Sequence, residues 1–165
     1  MNLIFDIGYN HGEFTEKCFE LYPDSKVVAV EANASLVYAA KRDSRLQIVT
    51  AVASTVSGEY VNFFIEPAQD GISTASRRFM ENSRFTLGSK HLAPKSANWM
   101  SLGKIITVSL DSLVEEHGTP DLIKVDVEGY EYEVLNGLTQ KCGKICFEWH
   151  EEEYDVLLTI IKHLQ

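Results

Sequence analysis

The 165-residue chain reads as an α/β protein built on an open, mostly parallel sheet. Two observations predict this. Apolar runs of strand length, Leu3–Phe5, Lys26–Val30, Leu46–Ala53, Leu122–Val127 and Lys144–Trp149, are continuous rather than alternating, as strands buried on both faces must be. Between them lie stretches whose apolar residues recur at helical spacing, and strand alternating with helix is the signature of a parallel sheet covered on both sides.

The first strand runs directly into "IFDIGYNHG", which puts Asp6, Gly8 and Gly12 ahead of any helix. Phe14, Cys18, Leu21 and Tyr22 then share one face of a helix that stops near Pro23. The second strand ends in "VVAVEAN" at Glu31, and Asn33 is placed to cap a helix carrying Leu36, Val37 and Ala40. The middle breaks the rhythm. Tyr60–Ile65 and Ile105–Leu110 read as strands, while 71–103, with its many Ser, Asn, Gly and Lys residues, reads as a loop-and-short-helix insertion on the ligand side. Ser112 to Glu115 has the form of a capping box for a short helix ending at Gly118. "LIKVDVEG" supplies another strand with acids at its end, and Tyr154, Leu157, Leu158, Ile161 and Leu164 mark the last helix.

Composition narrows the function classes. A hydrophobic content of 45% in this length suits one domain that folds without staples. The net charge of −9 argues against nucleic-acid binding. One segment departs from it: between Gly71 and Lys104 stand Arg77, Arg78, Arg84, Lys90, Lys95 and Lys104 against the single acid Glu81. Such a segment on an acidic body is either a solvated loop or a collar for an anionic ligand. The odd cysteine count, with no secretory signal ahead of Asp6, predicts reduced thiols and a cytoplasmic location. Cys142 and Cys146 lack a second pair at zinc spacing, and no apolar run approaches the roughly 20 residues of a membrane span.

Ligands of open parallel sheets bind beyond the carboxyl ends of the strands. Here those ends carry Asp6, Glu31, Asp126 and Glu128, acids that repel unless a ligand or cation sits among them. Gly8 and Gly12 permit a tight turn whose N–H groups could approach a ligand. Their spacing is G-x-x-x-G, not the G-x-G-x-x-G of dinucleotide binders, and a pyrophosphate disfavours a neighbouring carboxylate. Asp6 suits a cationic group instead. Glu31, 19 residues after Gly12, matches the acid that holds ribose hydroxyls in nucleoside-binding sheets. A nucleoside with a positive charge points to S-adenosylmethionine.

"FDIGYNHGEFT", "VVAVEAN", "VSLDSL" and "DLIKVDVEGYEYEVLNGL", followed by "ICFEWH", resemble the FkbM family of S-adenosylmethionine-dependent methyltransferases in order and approximate spacing from Phe5 to His150. The resemblance implies a Rossmann-like class I methyltransferase sheet and methylation of a hydroxyl on a sugar or other small molecule. It implies that Asp6, Gly8, Asn10 and Gly12 surround the methionine moiety, that Glu31 takes the ribose hydroxyls, and that Ala32 and Asn33 line the adenine side. Asp126 would lie beside the methyl donor, and Glu128 and Gly129 would shape the turn beneath the acceptor. Two departures stand out. Tyr9 replaces a smaller residue, so its ring must point away or cover part of the pocket. The family's final strand pair is missing, which leaves the Lys144–Trp149 strand as an edge open to homodimerisation.

An acceptor alcohol must lose its proton, and the candidates are Asp126, Glu148 and His150, the last being the most natural base at neutral pH. Alternatively, Asp126, Glu148 and His150 could hold a divalent cation that acidifies the acceptor, although a metal-free site is favoured. His150 could also be a helix-start residue beside Glu151–Glu153, which complement a helix N-terminus. His11 reads as a surface residue, and Trp99 and Trp149 as packing groups. Arg77, Arg78 and Arg84 could bind an anionic acceptor. Two rival functions remain: a binding module that keeps the cofactor pocket and works with a partner chain, and an NAD-linked oxidoreductase, opposed by Asp6 and the glycine spacing.

Overall fold

A computed structural model of the chain describes residues 1–69, 71–87, 97–150 and 154–164. Five strands form the main sheet: β1 (Leu3–Ile7), β2 (Lys26–Glu31), β3 (Leu46–Thr50), β7 (Leu122–Val125) and β8 (Lys144–Phe147), in the order β3-β2-β1-β7-β8. Every pairing within it is parallel. This is the α/β, Rossmann-like architecture that the apolar runs predicted.

Both faces are covered, for a reason visible in the alternation of each strand. Phe5, Ile7, Val28, Val30, Ile123 and Val125 pack on one side against α5 (Leu110–His117), α6 (Glu131–Leu135) and α7 (Tyr154–His163). Ile4, Val27 and Ala29 face the other side and meet Cys18 of α1 (Glu13–Leu21). The short α2 (Ala34–Ala39) begins at Asn33, whose side chain accepts the Ser35 N–H as expected of an N-cap.

The run expected as one strand over Leu46–Ala53 is divided. β3 is a half-exposed edge of the main sheet, whereas β4 (Val52–Ala53) is buried and joins a second sheet, ordered β4-β6-β5, with β5 (Tyr60–Ile65) and β6 (Met100–Val108). The chain changes sheets at Ala51 because Val52 packs with Ala32 and Phe63 while Ala51 and Ala53 stay in the main core.

The cap of α5 also differs from the expectation. Ser109, not Ser112, is the N-cap, accepting the Ser112 N–H. The basic insertion contains α3 (Arg77–Asn82) and α4 (Arg84–Leu87), anchored by Phe79, which packs against Phe85 and Trp99. Lys90 and Lys95, and the acidic trio Glu151–Glu153, lie outside the described residues. The outer edge of β8 has no partner strand among the described residues.

Candidate active site

The register of the central strands brings three chain ends together. Ile7 is level with Val30 on one side and Val125 on the other, so Gly8, Glu31 and Asp126 emerge side by side. Gly8 has φ +83°, and a Cβ there would stand 1.8 Å from the Asp126 carbonyl oxygen. Its lack of a side chain serves the close approach of the strand ends. The turn that follows spends its own donors: the Gly8 and Tyr9 N–H groups go to Val30 O, Gly12 N–H to Tyr9 O, and Asn10 N–H to Glu31 Oε2. This corrects the expectation that the glycine turn offers its amides to a ligand. The Tyr9 ring packs over Gly12 and into the core, away from the ligand side.

Asp6 likewise faces inward. It lies one residue before the end of β1, so its side chain falls on the α1 face, fully buried, where Thr15 Oγ1 donates to Oδ2 at 2.7 Å. Its cation is Lys124, the residue level with it on β7. The Lys124 ammonium stands 3.4 Å from Asp6 Oδ1 and 3.3 Å from Asp126 Oδ2, and donates to Gly8 O at 2.7 Å. The sequence reading asked for a cation among these acids, and the chain supplies it from within. Even so, burial holds the Asp6 carboxyl above its ordinary range, and Lys124 and Thr15 only oppose that rise.

A cavity of about 250 Å³ opens between the strand ends and the insertion. Of the residues expected at a cofactor, Gly8, Asn10, Glu31, Ala32 and Asp126 line it, while Asp6, Tyr9, Gly12 and Asn33 do not. One end is apolar, walled by Leu36, Ala51, Val52, Ala53 and Phe63. At that end Glu31, nearly buried, is fixed by the Asn10 N–H on Oε2 at 2.8 Å and the Asn33 N–H on Oε1 at 2.7 Å. Burial raises its carboxyl, and these amides counter the effect. Gly71, Ser73 and Ala75 from the insertion complete the lining.

The other end is acidic. Asp126, Glu128 and Glu148 line it beside Tyr130. Glu128 is pushed up to about 9 by burial, then by the charges of Glu148 and Asp126. Burial, then a hydrogen bond with Asp126 and the Asp126 charge, push Glu148 up to about 7. His150 is 5% exposed, does not line the cavity, and lies behind Glu128 with Nε2 3.5 Å from Glu128 Oε2. The Phe79 ring packs against that of His150 in a tilted arrangement, with centroids 4.9 Å apart. It is thus neither an exposed helix-start residue nor in direct reach of an acceptor. The residues gathered at ligating distance are Glu128, Glu148 and His150, so Glu128 stands where the sequence reading had Asp126.

The sequence model of the methyltransferase FkbM domain matches residues 6–164. The chain belongs to the FkbM methyltransferase family. No curated protein and no solved structure matches the chain. As an FkbM domain it presents two site features that sequence reasoning missed. Lys124 was legible in "LIKVDVEG", two residues before Asp126 and hence on its face of the strand, but its partner Asp6 required the register. The wall at Ala51–Ala53 gave no signal beyond small side chains. The arginines of this FkbM domain are placed apart: Arg77 pairs with Glu81 and Arg78 with Asp155, both away from the cavity lining. Arg84 lies over the Phe85 ring, and its charge reaches Glu128 and Glu148. No helix among the described residues is long and apolar enough to cross a membrane.

Proposed function

We propose that this FkbM domain is an S-adenosylmethionine-dependent O-methyltransferase acting on a hydroxyl of a small molecule such as a sugar. The observation that carries the reading is a single cavity with Glu31 held at an apolar end and Asp126, Glu128 and Glu148 at the other. The donor set fits the cofactor. Glu31 is held by backbone amides and retains acceptor capacity for a ribose hydroxyl, and Leu36 with Ala51–Ala53 offers an apolar slot for a base. Ala32 belongs to the same wall; Gly8, Asn10 and Asp126 would border the aminoacyl and sulfonium part, with Asp6, Gly12, Tyr9 and Asn33 supporting that frame from behind.

When bound, the cofactor supplies an electrophilic methyl group on a sulfonium. The chain's own task is to orient an acceptor oxygen in line with it, which can account for much of the acceleration. Asp126 and Glu148 stand hydrogen-bonded to one another at the cavity wall, where a carboxylate can take the acceptor's proton. His150 orients Glu128 from behind. Ser73 and Tyr130 border the acceptor space, and the Arg84 charge nearby favours an acceptor with anionic character.

Calorimetric titration with S-adenosylmethionine and S-adenosylhomocysteine tests the reading. Glu31→Gln removes one charged acceptor, worth about 1.5–3 kcal/mol, so the variant should bind roughly 10–100-fold more weakly. Failure of the folded wild-type protein to bind either compound overturns the proposal. Turnover of a hydroxylated acceptor then separates an enzyme from a binding module.

A further inference from the structure

We propose that Glu128, Glu148 and His150 form a site for one divalent transition-metal cation at the acceptor end of the cavity. Its use in catalysis rests on the methyl-transfer reading; its existence as a site does not.

The distances fit a shell that has not yet contracted onto an ion. The three ligand atoms lie within 4.8 Å of one another, with His150 Nε2 at 3.5 Å from Glu128 Oε2 and 4.0 Å from Glu148 Oε2. Around an ion with bonds of about 2.1 Å, neighbouring ligands stand about 3.0–3.4 Å apart, so side-chain shifts of under about 1 Å suffice. The donors come from two adjacent strands: Glu128 from the turn after β7, Glu148 and His150 from the end of β8.

Charge asks for the same occupant. Asp6 and Asp126 share Lys124, whereas the Glu128 Oε2 atom is buried and accepts no hydrogen bond among the described residues. A buried carboxylate oxygen without a donor is costly, and a cation is the most effective compensation. The surroundings fix the ligands beforehand. Thr74 Oγ1 donates to Glu128 O at 2.7 Å, Glu131 Oε1 takes the Val127 and Gly129 N–H groups, and Phe79 seals His150.

The arrangement is open on one side. Glu128 and Glu148 line the cavity and His150 lies behind them, so protein ligands occupy one hemisphere and the other faces the acceptor, as in catalytic rather than structural metal sites. Two carboxylates with one imidazole suit Mn²⁺, Fe²⁺ or Zn²⁺ better than Mg²⁺ or Ca²⁺, which take oxygen ligands. Ligation occupies the carboxylates of both Glu128 and Glu148, which leaves Asp126 as the proton acceptor. A cation there acidifies the acceptor hydroxyl. Its proton passes to Asp126, the oxygen lone pair forms the bond to the methyl carbon, and the carbon–sulfur bond breaks with its electron pair retained by sulfur as a neutral thioether.

Mn²⁺ is the probe, read by electron paramagnetic resonance on the full chain at neutral pH, with S-adenosylhomocysteine binding measured separately. One equivalent of Mn²⁺ should bind. Glu148→Gln and His150→Gln should each weaken it at least as much as the roughly 10–100-fold that follows loss of a mere supporting partner. Asp126→Asn should retain it. Thermal melting verifies that each variant is folded, and the partly exposed Glu148 keeps the test decisive if His150→Gln fails to fold. No Mn²⁺ binding by wild-type protein that binds S-adenosylhomocysteine overturns the cation site and leaves the methyltransferase reading intact. Equal Mn²⁺ binding by wild type and Glu148→Gln overturns it too. Mn²⁺ binding that depends on Glu148, without S-adenosylhomocysteine binding, supports the site and overturns the methyltransferase reading instead.

Discussion

Replacing Lys124 with methionine keeps most of the side chain's volume and removes the ammonium that stands between Asp6 and Asp126. Asp6 is fully buried and Lys124 nearly so, so the loss falls in the class of breaking a buried pair by deleting one partner, which costs about 3–5 kcal/mol. Asp126 is 40% exposed and resolvates, which argues for the lower half of that range. Loss of the bond to Gly8 O adds about 1 kcal/mol. For a chain of this size each kcal/mol moves Tm by roughly 2–4 °C, so a fall of about 8–20 °C is expected at pH 7. The sign of the pH dependence is fixed by Asp6. Burial already raises its carboxyl, and without Lys124 it rises further; a carboxyl raised in the folded state destabilises at pH above its folded value, and the penalty fades as pH falls through that value. The gap between variant and wild type should therefore shrink as pH falls from 7 towards the ordinary carboxylate range, read by thermal and urea unfolding. Lys124→Met combined with Asp6→Asn should recover most of the loss, because Asn still accepts the Thr15 hydroxyl and carries no charge. A gap independent of pH, or a double variant as unstable as the single one, refutes the argument.

Other outcomes follow from the same contacts. Ser109→Ala should cost about 1 kcal/mol by removing the α5 cap, and Ser112→Ala distinctly less, compared by urea midpoints. Acid unfolding should involve aspartates held below their usual range: Asp43 to about 2 by Arg45, Asp121 by the Asn2 and Leu3 N–H groups, and Asp155 by Arg78. Depressed carboxyls stabilise above their unfolded value and lose that contribution as pH falls through the folded one, so circular dichroism should report weakening between about pH 4 and pH 2. Arg45→Ala should shift that transition to higher pH.

The sequence disclosed the main sheet because its central strands are apolar on both faces and because four of its five strand ends are marked, by Gly8, Glu31, Asp126 and Glu148. It disclosed Glu31 as a cavity residue because the last position of β2 is set by the run itself. Asp6 was misjudged by one step of the pleat: an acid one residue before the end of its strand points to the helix side, and only the pairing with Lys124 reveals why it is tolerated there. His150 could not be read correctly, since its burial depends on Phe79, which reaches it from an insertion 71 residues earlier in the chain. The split at Ala51 was equally hidden, because a continuous apolar run looks the same whether it stays in one sheet or passes to another.

That split makes the cavity a seam between two sheets. Its lining takes Val30 and Glu31 from the five-stranded layer, and Val52, Ala53 and Phe63 from the three-stranded one. A molecule filling the seam splints two separately hydrogen-bonded layers, so occupancy should be felt as slower amide exchange along β5 and β6, in strands that carry none of the acidic groups.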